Sequence, residues 1–384
     1  MTAAGRGAER RGLVSAFGIF GIYWGAWSAT LPAIKAHVGA SDGQLGIALG
    51  AIAIAALPVM PVAGRLMDRH GPRWLLPSAL AGFAAVVWLP AFAGSLVALV
   101  GCTALIGVMT GYLDLVINAA TASWERIEDD HLMSFVHGAF SAGVLVGAVL
   151  AGLARQAGAG PRPIMGAVAL LMLVVAATQP SYRRAPAETK AAKRRLPAIL
   201  VTIGVLVALA FLCEDAIQSW SALHLERGLD ARPAVSGLGP GLFAGAMAVG
   251  RFAGGPLSKR HSDQRMLAVA ASALAAGALI VATAPSAGIV LGGLVIAGLG
   301  TSVLAPVLYS AVGRRAAPGR QGADLAAVSV LGYAGFVCGP PLVGAVAAAA
   351  TLPIALGCLA GLGLSIAVAG PLLLAGNEGA KIRG

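Results

Sequence analysis

Apolar residues in this chain gather in long runs broken by short polar stretches. Six such runs occupy about 13–34, 43–63, 74–92, 96–121, 132–154 and 163–179. Six more follow at about 197–224, 234–254, 266–283, 287–311, 323–347 and 352–374. A run of about 20 apolar residues is what a helix needs to cross a bilayer core, so the pattern predicts twelve membrane helices. The first run follows Arg10 and Arg11 but is too long for a signal-peptide core, and it reads as a retained span.

Composition agrees with that reading. Hydrophobic residues make up 58% of the 384 positions and charged ones only 11%, against about 25% charged in soluble domains. An ordinary soluble enzyme is excluded. Twelve spans use roughly 240 residues and leave about 140 for loops, so no large soluble domain fits. The net charge of +11 would suggest nucleic acid in a soluble chain, but here it lies between apolar runs. Assigning alternate loops to one side gathers 21 of the 27 Lys and Arg residues there, while Lys35, Arg155, Arg162, Arg227 and Arg232 fall opposite and Arg251 sits within a span. The positive-inside rule then places both termini in the cytoplasm. Cys102, Cys213, Cys338 and Cys358 all lie in apolar segments without metal-ligand spacing, so no metal is expected.

A basic stretch, SYRRAPAETKAAKRR, falls near the midpoint and reads as a cytoplasmic connector. It divides the chain into an N-terminal bundle at 1–179, a linker at 180–196 and a C-terminal bundle at 197–384. The halves are weakly self-similar: Gly64-Arg65-Leu66 recurs as Gly255-Pro256-Leu257, and Gly143 with Gly147 recurs as Gly335 with Gly339. Two six-helix repeats around a midplane site suit a transporter that rocks between two faces. The paired glycines would permit close helix approach, with Pro340 and Pro341 allowing a bend.

The segment GRLMDRHGPRWLL, with Gly64, Leu66, Asp68, Arg69, Gly71, Arg73 and Leu76 on pattern positions, resembles the loop between the second and third helices of the Major Facilitator Superfamily. Pro72 replaces a usual basic residue. The stretches FGIFGIYWGAWSATLPAIK, GYLDLVINAATASWER, SFVHGAFSAGVLVGA, CEDAIQSWSALHL and GYAGFVCGPPLVG resemble a bacterial inner-membrane branch of that superfamily related to the fucose-permease group. Ser219 stands where that branch usually has Asp, and Thr30 where Arg is common. The resemblance implies an all-α polytopic membrane protein of 12 transmembrane helices, in two six-helix pseudo-repeats around a central cavity, in the bacterial cytoplasmic membrane. It also implies alternating access, with Gly64, Asp68, Arg69, Gly71 and Arg73 forming an inward gate to which Glu125 and Arg126 contribute, Glu125 facing Arg69 or Arg73.

Charged groups within a span cost about 2.5 to 3.5 kcal/mol on insertion scales, so each asks for a reason. Asp114 in the fourth run has Asn118 one turn on, on the same face. A carboxylate there suits proton coupling, and a structural hydrogen bond suits it nearly as well. His137 in the fifth run lies at the depth of Asn118 and reads as a relay or as a structural donor. In the seventh run Glu214 with Gln218 defines one face and Asp215 with Ser219 another, because adjacent helical positions diverge by about 100°. Glu214 is the preferred coupling group. Tyr23, Trp24 and Trp27 in the first run are candidate aromatic surfaces for a substrate, or simply packing residues. Tyr309 and Tyr333 are second-half candidates, whereas Trp74 and Trp124 read as interfacial belt residues.

The function expected is secondary transport of a small molecule, proton-coupled, of a sugar or related metabolite. A proton antiporter for lipophilic compounds and a non-transporting membrane sensor remain open. No Walker loop, HExxH or convincing Ser-His nucleophile pair occurs, so neither direct ATP drive nor an enzyme is expected. No cofactor is expected either. The expected partners are substrate, protons and lipid, with the chain acting as a monomer.

Overall fold

The computed structural model describes residues 3–128, 130, 132–183, 196–258, 260–315 and 321–375. Most of the connector expected at 180–196 lies outside these residues, with Arg184, Lys190, Lys193, Arg194 and Arg195. Asp129, Lys259, Arg320, Lys381 and Arg383 lie outside them as well.

Thirteen α-helices follow one another through the described residues: α1 (Ala3–Val38), α2 (Asp42–Ala56), α3 (Met60–His70), α4 (Pro72–Val86), α5 (Leu96–Glu128), α6 (Met133–Gln156), α7 (Pro161–Ala177), α8 (Ala198–Leu223), α9 (Pro233–Ser258), α10 (Asp263–Thr283), α11 (Ala287–Arg315), α12 (Gln321–Ala349) and α13 (Leu352–Ala375). Helices α2 and α3 are two pieces of one span, Asp42–His70. Among the described residues eleven spans are long and apolar enough to cross a bilayer, and α7 is a shorter apolar helix of 17 residues. Seventeen residues is the lower end of what a bilayer core requires.

Several boundaries differ from the apolar runs for identifiable reasons. Helix α1 starts ten residues before its apolar run, because polar residues can continue a helix into water once the span has nucleated it. The third run stops being α-helical at Val86 and finishes as a short 3₁₀ turn, Leu89–Phe92, that places Pro90 where its missing N–H costs little. The segment expected to be a loop from Gly64 onward is helical down to His70. The turn shrinks to Gly71 alone, whose φ of 70° suits a residue without a Cβ. Pro72 then opens α4 at a position where its N–H would have lacked a helical partner. That is a local reason for the proline that replaces the usual basic residue.

The described chain falls into two compact units. One holds α1–α7 and residues Ala231–Gly241; the other holds α8, the rest of α9 and α10–α13. In the first unit the glycines of α1 and α6 allow backbone-to-backbone contact. A Cβ on Gly147 would lie 2.1 Å from the Ile22 carbonyl oxygen, and one on Gly25 2.0 Å from that of Val144. In the second unit Gly335 of α12 meets Ala208 of α8 in the same way, at 2.0 Å. Small residues at both crossings let dispersion act over backbone atoms, which is how membrane helices associate without a hydrophobic driving force. Gly147→Ala should therefore lower the unfolding midpoint in detergent, by about 1–3 kcal/mol from overpacking. Gly166→Ala, with nothing within 4 Å of its Cβ, should leave the midpoint unchanged or raise it.

Candidate functional site

The second unit contains the densest polar constellation within a span. On α8, Glu214 accepts a 3.5 Å contact from Arg251 of α9, each side chain roughly one-fifth exposed. Tyr309 of α11 lies close enough to sense the charge of Glu214, and its hydroxyl shares a hydrogen bond with Ser329 of α12. One turn before Glu214, Phe211 stacks on Phe336 of α12 with ring centroids 4.5 Å apart, and Tyr333 packs against Phe336 at 5.8 Å. Four helices thus bring together a carboxylate, a guanidinium, two tyrosines and an aromatic pair. Gln218 lies one turn beyond Glu214, and its Nε2 is buried without a hydrogen-bond partner among the described residues. Asp215 takes a different direction and accepts a hydrogen bond from Ser219 at 3.4 Å, as the 100° offset requires.

Arg251 is the member of this constellation whose partner spacing does not reveal. It stands out as a charge inside a span, but nothing local names Glu214 as its partner, since the two are 37 positions apart on different helices. The ion pair explains how both charges are tolerated in low dielectric, where each alone would be costly.

In the first unit Asp114 and Asn118 share one face of α5, where Asn118 donates to the Asp114 side chain at 3.1 Å and to its carbonyl at 2.8 Å. His137 of α6 meets Phe17 of α1 edge-on, with centroids 5.1 Å apart. Tyr23 and Trp27 of the substrate-binding set lie inside the first unit, with the Tyr23 hydroxyl and the Trp27 Nε1 buried without a hydrogen-bond partner among the described residues. Both are fully buried, stacked 6.4 Å apart, with Tyr23 also against Phe83 at 4.8 Å. Position 27 lies one turn from position 23 on the same face of α1, and Tyr23 meets α4 through Phe83. Trp24 on the neighbouring face stays half-buried, in contact with Phe20 and Tyr23. Thr30 is buried too and satisfies its hydroxyl on the Ala26 carbonyl at 2.8 Å.

The gate residues are also placed. Gly64 lies within α3 near Leu115 of α5, Gly71 is the turn, and Asp68, Arg69, Arg73 and Arg126 are exposed, Arg73 over the ring of Trp74. Glu125 is a correction: its carboxylate accepts from the backbone N–H groups of Leu132 and Met133 at 2.5 and 2.6 Å, rather than meeting Arg69 or Arg73. It thereby caps α6, where a negative charge is also stabilised by the positive end of the helix dipole. Trp74 is 69% exposed, as a belt residue should be, but Trp124 is buried at 6%.

An ion-pair cluster forms in the segment after α7. Arg183 donates from its backbone N–H and from its guanidinium to Glu9 of α1, at 2.6–3.1 Å, and reaches Glu128 at the end of α5. Glu9 is 2% exposed. Hydrogen bonds to Glu9 and Glu128 push the Arg183 guanidinium above its ordinary value, so it stays charged at every accessible pH. Tyr182 beside it bonds Gln179 at 2.6 Å, and burial with the nearby Glu9 charge raises its hydroxyl well above the usual range. Gly12 is where this segment lies on α1, since a Cβ there would sit 2.2 Å from the Tyr182 hydroxyl. A single acid in a basic N-terminal stretch was the available sequence signal.

Among the described residues no group of three His, Cys, Asp or Glu side chains is disposed to hold a metal ion. The Major Facilitator Superfamily profile matches residues 13–287 and 203–383. An uncharacterised MFS-type transporter of Yersinia pestis is 30% identical over 361 residues, 92% of each chain. A bacterial homologue of the human lysosomal transporter Spinster, solved in an inward-facing and occupied conformation, has a TM-score of 0.77 at 15% identity over 98% of both chains. The fucose:proton symporter FucP of E. coli has a TM-score of 0.60 at 18% identity, covering 95% of this chain and 98% of that one.

Proposed function

Because the chain belongs to the Major Facilitator Superfamily, we propose that this multi-pass membrane protein moves a small polar molecule across the cytoplasmic membrane by alternating access, coupled to protons. The observation that carries the reading is the Glu214–Arg251 pair, inside the apolar spans of the second unit. A carboxylate there has two stable conditions: ionised against the guanidinium, or protonated and neutral. Exchange between them converts a proton gradient into a change of local charge, which a conformational equilibrium can follow. Asp114 is the corresponding group of the first unit, held by Asn118, and His137 is a subordinate relay candidate.

Substrate contacts are assigned to Trp24, Asn118, Gln218, Tyr309 and Tyr333. Arg251 neutralises Glu214, which favours a neutral hydrogen-bonding solute such as a sugar or related metabolite, and the Phe211–Phe336 pair offers it a flat apolar surface. Asp215 leaves one acid in excess, and that favours the second reading, a proton antiporter for lipophilic cations. The protein is assigned to the inner membrane as a monomer with both termini cytoplasmic.

The test is purified protein in sealed vesicles under an imposed pH gradient, with neutral hexoses, ribonucleosides, small metabolites and lipophilic cations followed by mass spectrometry. Movement of the neutral solutes that collapses with the gradient is the expected result; movement of the cations alone selects the antiporter. Glu214→Gln should abolish gradient-driven accumulation while sparing counterflow, and Asp114→Asn should reduce it. Accumulation unchanged in both variants would remove these carboxylates from coupling.

A further inference from the structure

The second half of α8 carries a line of buried polar groups that begins at Gln218 and continues beyond it through residues the transport reading leaves unused. Gln218 Nε2, Trp220 Nε1, Ser221 Oγ and His224 Nδ1 have no hydrogen-bond partner among the described residues. Trp220, Ser221 and His224 are at most 3% exposed. Buried polar atoms are nearly always satisfied by protein or by ordered water, and four orphans within two helical turns point to water.

Three of the orphans, Gln218, Ser221 and His224, also follow one another around the helix, while Trp220 points about 100° away from Ser221. At 100° per residue, Glu214, Gln218 and Ser221 fall within an arc of about 60°, and His224 lies about 60° beyond Ser221. At ~1.5 Å rise, the axial steps are about 6 Å from Glu214 to Gln218, then about 4.5 Å to Ser221 and about 4.5 Å to His224. One water making two hydrogen bonds bridges roughly 5–6 Å, so single waters span each gap. The chemistry alternates suitably. His224 Nε2 lies 2.9 Å from the Val281 carbonyl, which only accepts, so Nε2 carries the proton and Nδ1 of the neutral ring is a bare acceptor. The Ser221 hydroxyl both donates and accepts, and the Gln218 amide donates. Beyond Leu223 the helix widens into a π-turn, His224–Gly228, a departure from regular geometry that often marks a working site.

We propose that waters along Gln218, Ser221 and His224 form a proton path between the π-turn end of α8 and Glu214. The inference rests on Glu214 being the coupling group. The charged and titratable groups around the path are few. Asp215 of α8 beside Glu214, Arg251 of α9 and Tyr309 of α11 lie at its Glu214 end, and Glu226 and Arg227 in the π-turn at the other. Helix α13 has no charged residue; Asp263 and Arg265 of α10 and Asp324 of α12 lie in the opening turns of their helices, and α10 reaches His224 only near its far end, at Val281.

The direct test is hydroxyl-radical footprinting in ¹⁸O-labelled water on the intact reconstituted protein, which needs no substrate. After correction for intrinsic reactivity, His224 should take up label at least about fivefold faster than Phe243, which is comparably buried in the same unit. Uptake no faster than Phe243 means a dry segment and overturns the path. In vesicles, Ser221→Ala and His224→Gln, the second keeping a donor for Val281, should slow gradient-driven accumulation of the panel solutes several-fold and leave their counterflow unchanged. Wild-type accumulation in both variants also overturns the path. Glu214→Gln separates the two readings: if it alone keeps full gradient-driven accumulation, coupling at Glu214 fails; if it abolishes accumulation while the other two are silent, only the path fails.

Discussion

Arg251→Met is expected to reduce transport in vesicles to background, in counterflow as well as under a gradient. Removing one member of a buried ion pair leaves the other uncompensated, at a cost of about 3–5 kcal/mol, whereas replacing both by neutral groups is often close to neutral. Glu214 and Arg251 are each about one-fifth exposed, so water relieves only part of that cost. The double variant Glu214→Gln/Arg251→Met should therefore recover the folded yield lost in Arg251→Met. It should regain counterflow without regaining accumulation against a gradient, since the carboxylate assigned to coupling is gone. Full counterflow in Arg251→Met would show that Glu214 holds its place without the guanidinium, and the pair would lose its central position.

The apolar runs located the spans because a bilayer demands length and composition, and both are properties of sequence alone. The helical offset likewise separated Glu214 from Asp215 and joined Asp114 to Asn118, since i to i+4 neighbours follow from the helix itself. Gly143, Gly147, Gly335 and Gly339 pointed to helix crossings for a similarly local reason: a missing side chain has one structural use at a buried crossing. Contacts between distant helices were less legible. The partnership of Arg251 with Glu214 depends on how α8 and α9 pack, and the capping role of Glu125 on where α6 begins. The burial of Tyr23 and Trp27 is not written in the sequence because aromatic chemistry is the same on either face of a helix. Which face turns inward is decided by Phe83 and its neighbours on another helix.

Arg183→Ala should produce the largest loss of stability among single substitutions outside the spans. Glu9 is almost wholly buried and receives both backbone and guanidinium hydrogen bonds from Arg183, so the truncation strands a carboxylate in a site that water barely reaches. The expected cost is about 3 kcal/mol, the lower end for a broken buried pair. Arg6 cannot compensate: its 3.4 Å contact is with Glu128 rather than Glu9, its side chain is 56% exposed, and exposed pairs contribute at most about 1 kcal/mol. Adding Glu9→Gln to Arg183→Ala should restore at least half of the lost unfolding midpoint, because the stranded charge is gone. High salt should weaken the Arg6 contact and leave the Glu9 pair nearly intact, since screening acts through solvent. Thermal unfolding in detergent, with exposed Arg11→Ala as the control, reads all of these. Arg183→Ala should also speed trypsin cleavage in the basic stretch after it, because Arg183, Tyr182 and Gln179 fasten the start of that stretch to α1. If cleavage quickens but Glu9→Gln recovers no stability, the clasp acts through Tyr182 packing on Gly12 rather than through charge.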